Sequence, residues 1–164
     1  LALDARVKTV RRNGARELAF QDFLVAKRKT ALGPDEILAE VSFPEPSPRA
    51  ASSFQKLGMR NILIIAVVSV ATFVEADASR SKIVSARIAL NRLKGRIPER
   101  AENVEKGLLN QKLGEETIEA ATETLGKDLA LTSDTRASAE YRCRVAKVLL
   151  RRALAECQED IVKR

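Results

Sequence analysis

Val67-Val68-Ser69-Val70-Ala71-Thr72-Phe73-Val74 is the stretch on which the fold turns. Five of its eight residues are β-branched, and such side chains pack well on a pleated surface but lose rotamer freedom in a helix. The run therefore reads as a buried strand. Downstream, the polar residues 75–82 form a connection, and residues 83–90 alternate as a returning strand should. Upstream, residues 53–57 read as a third strand. Arg60-Asn61 interrupts the pattern, and residues 62–66 suit a helix as well as a strand. Three short antiparallel strands make a small sheet whose apolar face needs a cover.

The remaining sequence supplies that cover. Residues 100–109 carry Ala101, Val104 and Leu108 at helical spacing. A second helix spans 114–126, with Glu115 and Glu116 favourably placed at its positive amino end, Ile118, Ala121 and Leu125 inward, and Gly126 as its stop. The longest helix runs from about residue 138 to 163, with Val145, Val148, Leu149, Ala153 and Leu154 as its core stripe. From about residue 50 onward the chain reads as an α+β unit of three strands and a three-helix bundle.

Ahead of that unit the signals are shorter. Ala5, Val7 and Thr9 alternate with polar positions, Asn13-Gly14 marks a turn, and residues 17–20 lead out again. Residues 22–26 suit a short helical turn and Lys27-Arg28-Lys29 an extended triplet. Gly33-Pro34 signals a turn, Pro34-Asp35-Glu36 the opening of one helical turn, and residues 37–43 a strand. Residues 44–51 hold three prolines, so the boundary falls there. The expected organisation is a first α+β part over 1–46, a linker over 47–52 and a second domain over 53–164. The chain opens on Leu1 inside an alternating pattern, which we read as the continuation of a longer chain.

Composition narrows the chemistry. No histidine occurs in the 164 residues, which excludes His-dependent triads and mixed Cys/His metal sites within this chain. The longest apolar run, residues 62–74, contains Ser69 and Thr72 and falls short of the roughly 20 residues that cross hydrocarbon, so no transmembrane segment is expected. Cys143 and Cys157 share one helical stretch about 21 Å apart, too far to bridge, and free thiols point to a reducing, cytoplasmic compartment. The net charge is +7, of which +5 falls in the first 30 residues, favouring an anionic partner. A basic nucleic-acid-binding or subunit-assembly module is one reading. With one Tyr, five Phe, no Trp and 22 acids, and without a nucleic-acid motif, nucleic acid is not expected as a partner.

Few residues carry an obvious chemical signature. The seven glycines are too dispersed for a phosphate loop, and the acids show no metal or carboxylate-dyad pattern. Tyr141-Arg142 near the start of the last helix reads first as packing. Lys56, Gly58 and Arg60 close a strand where a backbone approach and two long cations suit an anion or another subunit.

The order of segments adds a resemblance. Gly14-Ala15-Arg16-Glu17, Arg28-Lys29-Thr30-Ala31-Leu32, Pro34-Asp35-Glu36-Ile37-Leu38 and Phe43-Pro44 resemble the flavin-binding subunit or domain of the molybdenum hydroxylases, the xanthine and carbon monoxide dehydrogenase family. Phe54-Gln55-Lys56-Leu57-Gly58-Met59-Arg60, then Val68-Ser69-Val70-Ala71, Pro98, Arg100-Ala101, Glu105 and the Asp134 to Arg142 segment are similar to that family's carboxy-terminal flavoprotein domain. Ala89-Leu90-Asn91-Arg92 departs from the glycine-rich turn often found there.

The resemblance implies that residues 1–46 end an FAD-binding domain and that 53–164 form the carboxy-terminal domain. It implies FAD as cofactor, with Lys29, Leu38 and Lys56 as cofactor-binding candidates, no catalytic residue and no metal ligand. Lys29 or Lys56 would stabilise charge on reduced flavin, and Leu38 would pack on the ring. Molybdopterin and [2Fe-2S] clusters would lie in an iron–sulfur subunit and a molybdopterin-binding subunit or domain. Electrons would pass from the clusters through FAD to an external acceptor. The glycine-rich loops that hold the flavin pyrophosphate in this family have no counterpart here, so the amino-terminal FAD-binding portion is expected to be missing. The piece alone is then expected to bind FAD poorly and to be inactive.

Overall fold

The computed structural model describes residues 1–59, 65–91 and 97–163. Its amino-terminal part is built on β1 (Arg6–Arg11), whose alternation places Val7 and Thr9 inside and neighbouring cations outside. β1 pairs antiparallel with β2 (Gly14–Ala19) on one side and β5 (Ile37–Ser42) on the other, giving the order β2-β1-β5. Arg11 pairs with Gly14, so Arg12 and Asn13 form the two-residue loop and the turn sits one residue earlier than expected. Gly14 enters β2 at a φ of 153°, a conformation that favours glycine.

Between β2 and β5 the chain forms a four-residue helical turn, α1 (Phe20–Phe23), and a small hairpin of β3 (Leu24–Ala26) and β4 (Lys29–Thr30). The helical turn precedes the expected 22–26, because the Phe20 and Phe23 rings stack 6.4 Å apart and Phe23 is buried. The basic triplet is not extended throughout: the chain reverses at Lys27-Arg28, with Arg28 at a φ of 60°. Pro34 and Asp35 form a β-turn rather than a helical turn, closed by the Glu36 amide donating to the Gly33 carbonyl at 3.2 Å.

The carboxy-terminal sheet is antiparallel throughout, in the order β6-β7-β8-β9. β6 (Ala50–Leu57), β7 (Val68–Ala76) and β8 (Ile83–Leu90) are the three expected strands, and β7 runs two residues past the quoted stretch. β9 (Glu99–Arg100) is a fourth, two-residue strand beside Leu90 and Ala89, too short and charged to show a period. The readings at Arg60-Asn61, at residues 62–64 and at Arg92 lie outside the described residues.

Three helices cover one face of this sheet, so the expected α+β class stands: small antiparallel sheets packed against helices. They are α2 (Glu102–Leu108), α3 (Glu115–Asp128) and α4 (Ala139–Lys163). On α4 the buried positions Ala146, Leu149, Leu150, Ala153, Leu154, Cys157 and Ile161 follow the i, i+3, i+4 rule. The stripe is rotated from the expected one, with Val148 half exposed and Leu150 fully inside. α2 is capped from a distance: the Asp128 carboxylate accepts the Asn103 Nδ2 at 2.7 Å and the Val104 amide at 3.2 Å, placing negative charge on the helix amino end.

The other sheet face is partly covered by the start of the chain. Ala2, Ala50, Phe73 and Ala89 form a small cluster there with Leu1 and Ala71 against it. Arg87 lies 4.1 Å above the Phe73 ring and donates its Nε to the Ala2 carbonyl at 2.8 Å.

Candidate functional site

Lys29, Leu38 and Lys56 sit on three different sheets. Lys29 opens β4 and is exposed, Leu38 is on the outer strand β5 and 44% exposed, and Lys56 is exposed on β6 opposite Ser69. Ser53 and Gln55 of β6 face α4, both hydrogen-bonding the Glu156 carboxylate, Gln55 at 2.6 Å. Lys56 and the exposed Phe54 alternate with them and therefore lie on the face away from the helices. Lys29 and Leu38 are linked through Arg16 and the turn between their strands, and Lys56 stands apart.

That link is a clasp the sequence reading did not single out. Arg16 on β2 reaches the Glu36 carboxylate through two bonds, Nε to Oε1 at 2.8 Å and Nη2 to Oε2 at 2.6 Å. Its Nη2 also donates to the Ala31 carbonyl at 2.6 Å. Glu36 Oε2 in turn accepts the Gly33 amide at 2.8 Å. A Cβ at Gly33 would stand 3.3 Å from Asp35 Oδ1 and 3.4 Å from Glu36 Oε2, so both flexible acids would have to give by a few tenths of an ångström. The Arg16 fork and the Gly33 amide together hold the Glu36 carboxyl down at about 2. The signal was present as Gly33-Pro34-Asp35-Glu36, but nothing local in the sequence names Arg16 as the partner.

The largest concavity among those described, about 780 Å³, lies between the start of the chain, the α1 and β3 region, and β8, β9 and α2. Its walls carry Asp4, Arg87, Arg100, Glu102, Glu105 and Lys106, and none of the three flavin candidates. Arg100 pairs with Glu105 through Nε to Oε1 at 2.8 Å and Nη2 to Oε2 at 2.7 Å, and Glu105 Oε1 also accepts the Ile88 amide. These groups are mutually satisfied and tie α2 to the sheet.

Of the pair Tyr141-Arg142, it is the arginine that packs. The tyrosine is 43% exposed, whereas Arg142 is 1% exposed and packs inward. Arg142 donates to the Thr132 carbonyl at 2.6 Å and to Asp134, so it fixes the segment leading into α4. Cys143 and Cys157 are free thiols, and burial pushes the Cys157 thiol up to about 11. Among the described residues no group of three or more Cys, Asp or Glu is arranged to hold a metal ion, and no helix is long and apolar enough to cross a membrane.

Comparison with known proteins gives two family matches. Residues 1–46 match the family described as the FAD binding domain in molybdopterin dehydrogenase, and residues 52–157 the CO dehydrogenase flavoprotein C-terminal domain. The first corrects an expectation: FAD-binding-domain sequence is present in this chain. The amino-terminal FAD-binding portion expected to be missing is therefore represented here by residues 1–46, which include β1 to β5.

Over 161 residues the chain is 32% identical to the nicotine 6-hydroxylase medium subunit of Paenarthrobacter nicotinovorans, covering 95% of this chain and 53% of that protein. Over 141 residues it is 31% identical to the carbon monoxide dehydrogenase medium chain of Afipia carboxidovorans, covering 86% and 48%. A solved structure, the reconstituted CO dehydrogenase from Oligotropha carboxidovorans, superposes with a TM-score of 0.85 at 29% identity, over 97% of this chain and 54% of that one. The chain thus spans about half the length of the curated relatives it matches.

Proposed function

Because this chain belongs to the FAD-binding subunits of the molybdenum hydroxylases, the carbon monoxide and xanthine dehydrogenase family, we propose that it helps to hold FAD in a multi-component enzyme of that kind. In that enzyme electrons pass from iron–sulfur clusters through FAD to an external acceptor. Molybdopterin and the [2Fe-2S] clusters are held by partner subunits or domains. The organisation is 1–46 as the carboxy-terminal end of the FAD-binding domain, 47–52 as linker and 53–164 as carboxy-terminal domain, with β6 beginning inside the linker range at Ala50. Free thiols at Cys143 and Cys157 support a cytoplasmic setting.

The observation that carries this reading is that the part matched to the FAD-binding domain leaves both a cation and an apolar side chain exposed, Lys29 and Leu38. Leu38 is open on an outer strand, and among the described residues no ion pair engages Lys29. Those side chains fit an isoalloxazine, which needs an apolar surface for its ring and positive charge where reduction adds negative charge. FAD, when bound, supplies the redox chemistry. Leu38 excludes water from one ring face, and Lys29 stabilises the charge of the reduced state. Lys56 provides a second cation from the carboxy-terminal domain.

The experiment is a visible absorption spectrum of the full-length flavoprotein in its native complex, before and after anaerobic reduction. Flavin absorption that bleaches on reduction and returns with an electron acceptor supports the reading. A complex without flavin overturns it.

A further inference from the structure

Nothing in the sheet hydrogen bonding ties β4 to β5. Among the described residues the hairpin β3–β4 is a sheet of its own, while β5 pairs only with β1. Lys29 and Leu38 are therefore not in register through any backbone ladder. What joins their strands is the Arg16–Glu36 clasp. Ala31 lies two residues after Lys29, and its carbonyl accepts from Arg16 Nη2 at 2.6 Å. Glu36 lies two residues before Leu38 and accepts both arms of the same guanidinium. The Gly33 amide closes the intervening turn onto Glu36 Oε2 at 2.8 Å.

We infer that Arg16 and Glu36 are positioning residues that fix Lys29 and Leu38 relative to each other, so that both are presented to the flavin together. This rests on the flavin reading above. A planar guanidinium with fixed donor directions suits the task better than a point charge, because it constrains orientation as well as distance. The Glu36 side chain is 5% exposed and the Arg16 side chain 46%, so the carboxylate is the enclosed half. Neither side chain needs to touch the cofactor.

The clasp is also insensitive to ordinary pH. The Glu36 carboxyl is held at about 2 against an ordinary 4.5, first by the Arg16 hydrogen bond, then by the Gly33 amide, with Arg16 and Arg11 charges adding smaller pulls. A depressed folded value means the contribution is complete above about 4.5 and is lost only as pH falls toward 2.

The test uses the full-length flavoprotein in its native complex, with E36A, E36Q and R16K compared with the parent. Two readouts are taken: hydrogen exchange over residues 29–38 and the flavin midpoint potential. In E36A, exchange over this segment rises about tenfold, the scale of losing a charge-assisted hydrogen bond, and the potential falls because Lys29 no longer holds its place. E36Q and R16K change both readouts in the same direction by less, since each keeps part of the donor–acceptor geometry. Unchanged exchange in E36A overturns the clasp. Faster exchange with an unchanged potential overturns its role toward the flavin. A parent complex that holds no flavin overturns the reading on which the inference rests, and hydrogen exchange still reports on the clasp separately.

Discussion

The two β-regions of this chain use apolar side chains differently. In the carboxy-terminal sheet, Val70, Val74, Ile88 and Leu90 are essentially sealed beneath α2, α3 and α4. In the amino-terminal sheet, all six residues of β5 are exposed, including Ile37 at 67% and Val41 at 53%. An alternating or apolar strand in sequence states a tendency to be covered, and only a neighbouring element turns that tendency into a core. The carboxy-terminal unit carries its own cover, whereas β5 keeps an open apolar surface next to the clasp at Glu36.

The comparison breaks most sharply at Arg142. Asp134→Ala strips the carboxylate from a guanidinium that is 1% exposed, and should destabilise by about 3–5 kcal/mol in denaturant unfolding, the usual cost of an uncompensated buried charge. Arg142→Leu should cost less, because it removes the buried charge and leaves Asp134, whose side chain is 26% exposed, able to hydrate. Equal losses in the two variants would contradict this account.

Next come truncations inside each region. Leu154→Ala, beneath the carboxy-terminal sheet, should cost about 3 kcal/mol as a buried cavity. Val41→Ser on β5 should stay within about 0.5 kcal/mol by the same measurement. A large loss at Val41 would mean that β5 is covered after all.

A finer distinction lies between the cysteines. Cys157 is buried with its Sγ 3.3 Å from Thr72 Oγ1, and desolvation raises its thiol from 9.0 to about 11. Its raised folded value means that folding holds the proton on, and the associated stability is lost as pH rises from 9.0 through about 11. At pH 8 a thiol reagent should therefore modify Cys143 in the native protein and Cys157 only on unfolding. Equal native rates would show that α4 does not seal the sheet.

Much of the carboxy-terminal unit was legible because its signals are long. β8 was placed at its observed ends and α4 nearly so, since eight alternating or 25 helical residues average over local exceptions. The core stripe of α4 was rotated because Val148 is as apolar as the residues that pack, Val145 among them, and only the sheet decides which face turns inward. β9 escaped because a two-residue strand of Glu99 and Arg100 has no period. Around the candidate site, the residue types at Lys29 and Leu38 were readable, but the clasp joins positions 20 apart, and pairing at that range is set by the folded chain. Arg142 was underrated for a related reason: its partner Asp134 lies in a loop, and charge in sequence normally implies exposure.

The central claim is that the amino-terminal part presents Lys29 to the flavin. It is tested most directly by the flavin midpoint potential of the full-length Lys29→Met flavoprotein in its native complex, set against the parent under the same conditions. Loss of a cation that stabilises the reduced ring predicts a lower potential with flavin content retained. A potential and visible spectrum identical to the parent's would contradict the claim.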